Sequence, residues 1–148
     1  MPVSDVLLDA AKRDDPIAFD LITGWSFSAS HQLGGNPQPG LWMTGGAYRL
    51  LERSPAGVLH ADLLACQDYT DGLAAARDVR CPVLVIVGNR DLMAPPRNAQ
   101  ALIETLPAPR VVKLDDSGHS LMMEAPDAVL DALREFLGPE GMQAQRDA

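Results

Sequence analysis

The sequence predicts an α/β protein, and three observations carry that prediction. An unbroken apolar run, Val83 to Val87, stops at Gly88. A second short stretch, Arg110–Leu114, alternates Val112 and Leu114 with Val111 and Lys113 after an intervening helical pattern. Residues 1–80 contain no convincing strand. A short, mostly β-branched run ending at glycine reads as a strand buried on both faces, as in parallel sheets covered by helices. The expected architecture is a helical N-terminal half over 1–80, a βαβα unit with two parallel strands over 81–138, and a mobile tail over 139–148.

The elements follow in chain order. Ser4 can cap a helix carrying Val6, Leu7, Leu8 and Ala11. Asp15-Pro16 is a second start signal, a cap followed by proline at the first helical position. Ile17, Phe19, Leu21 and Ile22 continue that helix, and Gly24 is placed to end or loosen it. The Gly- and Pro-dense stretch 31–46 reads as an irregular loop flanked by Trp25, Phe27 and Trp42. Those rings suit local packing of a helical layer, or an apolar wall over a pocket. A short helix around Ala47–Arg53 precedes a longer one from Val58 to Ala76, with Leu59, Leu63, Cys66 and Leu73 near helical spacing. His60 falls in it, where a hydrogen-bonded structural role suits it better than a ligand role.

Pro82 opens the first strand, where a missing ladder donor is tolerable. Pro95-Pro96 starts a helix to Leu106 with Ala99, Leu102 and Ile103 on one face; Pro107 and Pro109 stop it. Pro126 starts the last helix, whose stripe is Val129, Leu130, Leu133, Phe136 and Leu137.

Composition narrows the function classes. The net charge of −8 over 148 residues argues against nucleic-acid binding, which needs clustered Lys and Arg. No stretch reaches the roughly 20 apolar residues of a membrane span. No signal-peptide pattern opens the chain. The two cysteines, Cys66 and Cys81, lack metal or redox spacing. They are expected to be buried, in a chain of the reducing cytoplasm. No ligand cluster or phosphate-cradling glycine loop implies a metal or a cofactor.

Asp91 and His119 hold corresponding places, each just past a strand's carboxyl end. In a right-handed βαβ unit both ends emerge on one sheet edge, about 4.8 Å apart for neighbouring strands. An Asp–His hydrogen bond there fixes the imidazole tautomer and leaves the other nitrogen as a base. Taken singly, Asp91 could be a turn or cap residue and His119 a surface histidine. Their matched placement favours a catalytic pair.

These residues carry a resemblance. Pro82 through Pro96, then Ser-Gly-His-Ser-Leu-Met-Met-Glu-Ala-Pro over 117–126, then the closing helix, resemble the C-terminal end of the α/β-hydrolase fold. The resemblance implies Asp91 as triad acid and His119 as triad base, in the chain order Ser, Asp, His. Residues 1–80 resemble, more loosely, the helical cap that many such hydrolases insert. It further implies an ester or related bond as the target, a small apolar substrate for the parent enzyme, and no cofactor; relatives include haloperoxidases and dehalogenases. The family's Gly-x-Ser-x-Gly nucleophile elbow does not occur in this sequence. Gly24-Trp25-Ser26-Phe27-Ser28 comes nearest but lacks the second glycine, and Ser117 and Ser120 lack strand-to-helix context. The expectation is therefore the C-terminal part of a larger hydrolase, inactive alone and homodimeric, with the Val83–Val87 edge as one route to pairing. The alternative is a non-catalytic self-associating chain whose Asp/His pair is a relic.

Overall fold

The computed structural model describes residues 3–32, 34–36 and 39–139. The tail expected over 139–148 lies outside the described residues except for Pro139. Six helices come first: α1 Asp5–Lys12, α2 Ile17–Ser26, α3 Ala29–Gln32, α4 Met43–Leu51, α5 Val58–Asp68 and α6 Gly72–Arg77. Then follow β1 Leu84–Gly88, α7 Pro96–Thr105, β2 Arg110–Leu114, α8 Leu121–Glu124 and α9 Pro126–Leu137. The α/β class and the helical half ahead of a βαβα unit stand as expected.

Among the described residues the apolar core cluster sits in the helical half. Leu7, Ala10 and Ala11 of α1 close on Ala18 of α2, with Leu21, Ile22, Trp25, Leu59 and Leu63 packed around them. The small alanines let α1 and α2 approach closely, so Leu7 is almost wholly enclosed. Burying one such leucine contributes about 2 kcal/mol. The start of α2 falls one residue later than its sequence suggests: Pro16 takes the cap position and Ile17 opens the helix, with Asp15 Oδ1 accepting the Ile17 N–H at 3.1 Å.

Several local expectations are corrected. Gly24 does not end α2, which runs on to Ser26; one glycine costs only about 1 kcal/mol, which tertiary packing overrides. The long loop is shortened from both sides, by α3 and by α4 starting at Met43 rather than Ala47. The single helix over Val58–Ala76 is two, interrupted at Tyr69–Asp71. There the Tyr69 ring lies 3.3 Å from where a Cβ on Gly72 would stand. Cys66 and Cys81 are exposed, not buried. Cys66 lies beyond Leu63, the last residue of α5 packed on the apolar core.

β1 and β2 pair in parallel, with Leu84 opposite Arg110 and Gly88 opposite Leu114. Among the described residues the sheet has only these two strands. That corrects the expectation of a strand buried on both faces: Val83–Val87 is half-buried throughout. The same narrow sheet explains α9, where Val129 is buried but Leu130, Leu133 and Leu137 are exposed. The edge can be read from the ladder. The Val83 carbonyl accepts from Arg110, and the Asn89 N–H donates to Leu114, both at 2.9 Å. A residue's N–H and C=O share one side of a strand and alternate along it. Leu84 and Ile86 therefore turn theirs away from β2. Arg110 also reaches Glu135 of α9 at 2.5 Å, and that hydrogen bond, with the guanidinium charge, holds the Glu135 carboxyl below its ordinary range. Among the described residues no helix is long and apolar enough to cross a membrane.

Gly88 is the closest approach in the sheet unit. A Cβ there would lie 2.1 Å from the Gly118 carbonyl oxygen and 2.5 Å from that of Ser117. Both are backbone atoms and cannot swing aside. Gly88→Ala is therefore expected to lower stability by about 3 kcal/mol, the upper end for an overpacked site, as measured by urea unfolding; a loss under about 1 kcal/mol would show that the two turns separate freely.

Candidate active site

The two strand-end turns are stitched together. Asn89 N–H donates to the Leu114 carbonyl at 2.9 Å and Arg90 N–H to the Ser117 carbonyl at 3.0 Å. Their side chains repeat the link: Asn89 Nδ2 donates to Asp115 at 2.6 Å, and Arg90 pairs with Asp116 at 3.0 Å. The exposed ion pair contributes little, about 0–1 kcal/mol. The backbone bonds and the glycine contact set the spacing.

That spacing brings Asp91 and His119 together. His119 Nδ1 lies 2.9 Å from Asp91 Oδ2. The other carboxylate oxygen, Oδ1, accepts the Ala94 N–H at 2.7 Å, so Asp91 also serves the turn that leads into α7. The two readings of Asp91, turn residue and histidine partner, are thus both realised, one by each oxygen. An ionised carboxylate only accepts hydrogen bonds, so Nδ1 carries the proton and Nε2 keeps its lone pair. The side chains are exposed to very different degrees, 10% for Asp91 and 49% for His119. The acid is enclosed while the imidazole opens outward.

The histidine's backbone is also held. The N–H groups of His119 and Ser120 both donate to the Ser26 carbonyl, at 2.8 and 2.9 Å. Ser26 thus meets the histidine segment through its carbonyl at the end of α2, not on a strand-to-helix turn. Next to this contact is a buried group. The Glu124 side chain is 0% exposed, and Oε1 accepts the Gly118 N–H at 2.9 Å. Oε2 accepts the Ser28 N–H at 2.9 Å and lies 2.9 Å from His31 Nδ1. Sequence reasoning singled out neither Glu124 nor His31. The available signal was a lone carboxylate in the apolar run Leu121-Met122-Met123 just before Pro126.

The other candidates fall elsewhere. Ser117 is buried, and its carbonyl serves the Arg90 turn. His60 lies half-buried on α5, outside the Asp91–His119 contact. Phe27 is fully buried and Trp25 joins the helical core. Trp42 borders a cavity of about 370 Å³. Its lining mixes Trp42 and Tyr48 with Asp20, Arg49 and Glu52, so the wall is not purely apolar. Among the described residues no group of three or more His, Cys, Asp or Glu is arranged to hold a metal ion.

A family model described as the alpha/beta hydrolase family matches residues 1–132. The chain belongs to the α/β-hydrolase family. This α/β-hydrolase chain is 36% identical over 73 residues to a putative non-heme bromoperoxidase, BpoC, of Mycobacterium tuberculosis, covering 49% of this chain and 28% of that protein. It is 38% identical over 77 residues to a pimeloyl-[acyl-carrier protein] methyl ester esterase of Aromatoleum aromaticum, covering 52% and 30%. Among solved structures it is similar to a thermophilic esterase from Thermogutta terrifontis, with TM-score 0.73, 25% identity and coverage of 92% of this chain and 51% of that one. It is also similar to the enol-lactonase from Burkholderia xenovorans LB400, with TM-score 0.75, 22% identity and coverage of 88% and 48%. The chain thus spans about half the length of each structure.

The geometry makes the His119 tautomer depend on Asp91. In Asp91→Asn the single amide oxygen is drawn to the Ala94 N–H, and the amino group faces Nδ1. The ring is then expected to move its proton to Nε2, leaving no lone pair there. Nitrogen-detected NMR of the imidazole reads this directly; an unchanged Nδ1–H tautomer in the variant would mean that Asp91 does not set it.

Proposed function

We propose that this chain supplies the acid and base of a hydrolase acting on ester-like bonds. The supporting observation is the 2.9 Å contact between His119 Nδ1 and an enclosed Asp91, on an imidazole that is itself half exposed. In this reading Nε2 of His119 takes the proton of a serine hydroxyl as it attacks the substrate carbonyl, and returns it to the leaving alcohol. Asp91 holds the tautomer and stabilises the imidazolium in between. The nucleophile and the N–H groups that would stabilise the oxyanion lie on an elbow this sequence does not contain. The 148-residue chain is accordingly inactive by itself. Residues 1–80 act as the cap, and a cap of this kind selects a small substrate with an apolar acyl or alcohol part.

The deciding experiment reads the coding frame upstream of the Met1 codon and assays the chain it opens on p-nitrophenyl butyrate. The expected result is a Gly-x-Ser-x-Gly elbow between a strand and a helix. Esterase activity is expected to fall about 10⁴-fold in Asp91→Asn, and at least as far in His119→Ala. A frame without such an elbow, or activity that survives both substitutions, overturns the reading.

A second reading has its own observation. β1 leaves the N–H and C=O of Leu84 and Ile86 facing away from β2, and Leu130, Leu133 and Leu137 of α9 are exposed. An open apolar edge invites a second copy. The chain alone is then a symmetric dimer joined across β1. Ile86→Pro removes an outward N–H and spares the β2 ladder, so sedimentation should show a dimer for the parent chain and a folded monomer for the variant. A parent chain that is already monomeric removes the dimer.

A further inference from the structure

Glu124 is a fully enclosed carboxylate that the proposed chemistry does not use. It lies six residues beyond Gly118 and 96 residues from Ser28, and it bonds to both backbones. Nothing about α8 requires this, since a glutamate on a four-residue helix could equally well point to water. Instead one oxygen accepts the N–H of Gly118, immediately before His119, and the other accepts the N–H of Ser28. The Ser26 carbonyl in turn takes the N–H groups of His119 and Ser120. The histidine's backbone is thus held between residues 26–28 and one carboxylate. Gly118 leaves no slack, because a Cβ there would lie 2.8 Å from Ser28 N and 3.0 Å from Glu124 Oε1.

We propose that Glu124 is a positioning residue for His119, acting through the Gly118 and Ser28 backbones rather than on the ring itself. His31 completes the arrangement. Its Nδ1 lies 2.9 Å from Glu124 Oε2 and 2.6 Å from Ser28 Oγ. The Nδ1 atom is hydrogen-bonded to the Ser28 hydroxyl and stands beside the carboxylate, whose two oxygens each receive one backbone donor. A carboxylate is needed for this. An amide of the same shape offers one acceptor where two backbone N–H groups converge, so Glu124→Gln must release either Gly118 or Ser28. Releasing either one lets the His119 segment turn away from Asp91.

The proposal rests on reading His119 as the base, but its test does not require turnover. Nitrogen-detected NMR of the 148-residue chain in mildly alkaline solution reports the imidazole tautomers. The parent chain is expected to show His119 fixed with its proton on Nδ1. In Glu124→Gln the two ring nitrogens should average towards one another while the β1 and β2 amide signals stay in place, with Asp91→Asn as the reference for a lost tautomer. A folded Glu124→Gln chain with the parent's His119 tautomer overturns the proposal. Should that variant not fold, hydrogen exchange in the parent chain decides. The amides of Ser28, Gly118, His119 and Ser120 are expected to exchange through one shared opening, and Gly118 to Ser120 exchanging well ahead of Ser28 overturns it. An inactive full-length enzyme with a fixed His119 counts against the hydrolase reading alone, and an active one with a freely averaging His119 counts against the clamp alone.

Discussion

Two backbones meet at Gly88 with no room for a side-chain carbon between them, and the rest of the sheet unit is arranged around that contact. The parallel pairing of β1 with β2 brings the strand ends level. The missing Cβ at Gly88 then lets the Ser117–Gly118 peptide cross directly above the end of β1. Once it does, the Arg90 N–H reaches the Ser117 carbonyl, and the two turns become one hydrogen-bonded structure. Asp91 and His119 come within bonding distance as a result. Further bonds then fix each residue, the Ala94 N–H on Asp91 and the Ser26 carbonyl on the His119 backbone.

Much of this arrangement was legible in the sequence because it depends on strand ends. A period of two residues, a terminal glycine and a right-handed crossover are enough to place Asp91 beside His119. Residue-level burial was harder to read. The Val83–Val87 run has the composition of a strand buried on both faces, yet it has one neighbour among the described residues. Composition records the surroundings a strand is suited to, not how many partners it has. The same holds for the last helix, whose leucine stripe is regular while most of it faces outward. Cys66 shows another limit: helical spacing places it on the face of Leu59 and Leu63, but spacing does not say where the apolar core ends.

The buried carboxylate was the least legible part. A glutamate after Leu121-Met122-Met123 looks like the polar face of a short helix, and only the path of residues 26–28 across the molecule gives it donors. Local pattern cannot supply this, because the partners lie far away in sequence. The helical half therefore has two roles that separate physically. Leu7, Ala10, Ala11 and Ala18 make it a packed layer in its own right. Its α2–α3 junction is at the same time part of the wall of the candidate active site.

The 96-residue span between Ser28 and Glu124 has a consequence for biosynthesis. A ribosome delivers the chain from its N-terminus, so the first helices can pack long before Glu124 emerges. Until it does, the Ser28 and Gly118 amides have no carboxylate to bind. The bonds that tie residues 26–28 to Gly118 through Glu124 are therefore among the last to form, after the helical layer has packed. A product released short of residue 124 would keep Asp91, His119 and much of the fold, but not the group that ties residues 26–28 to Gly118.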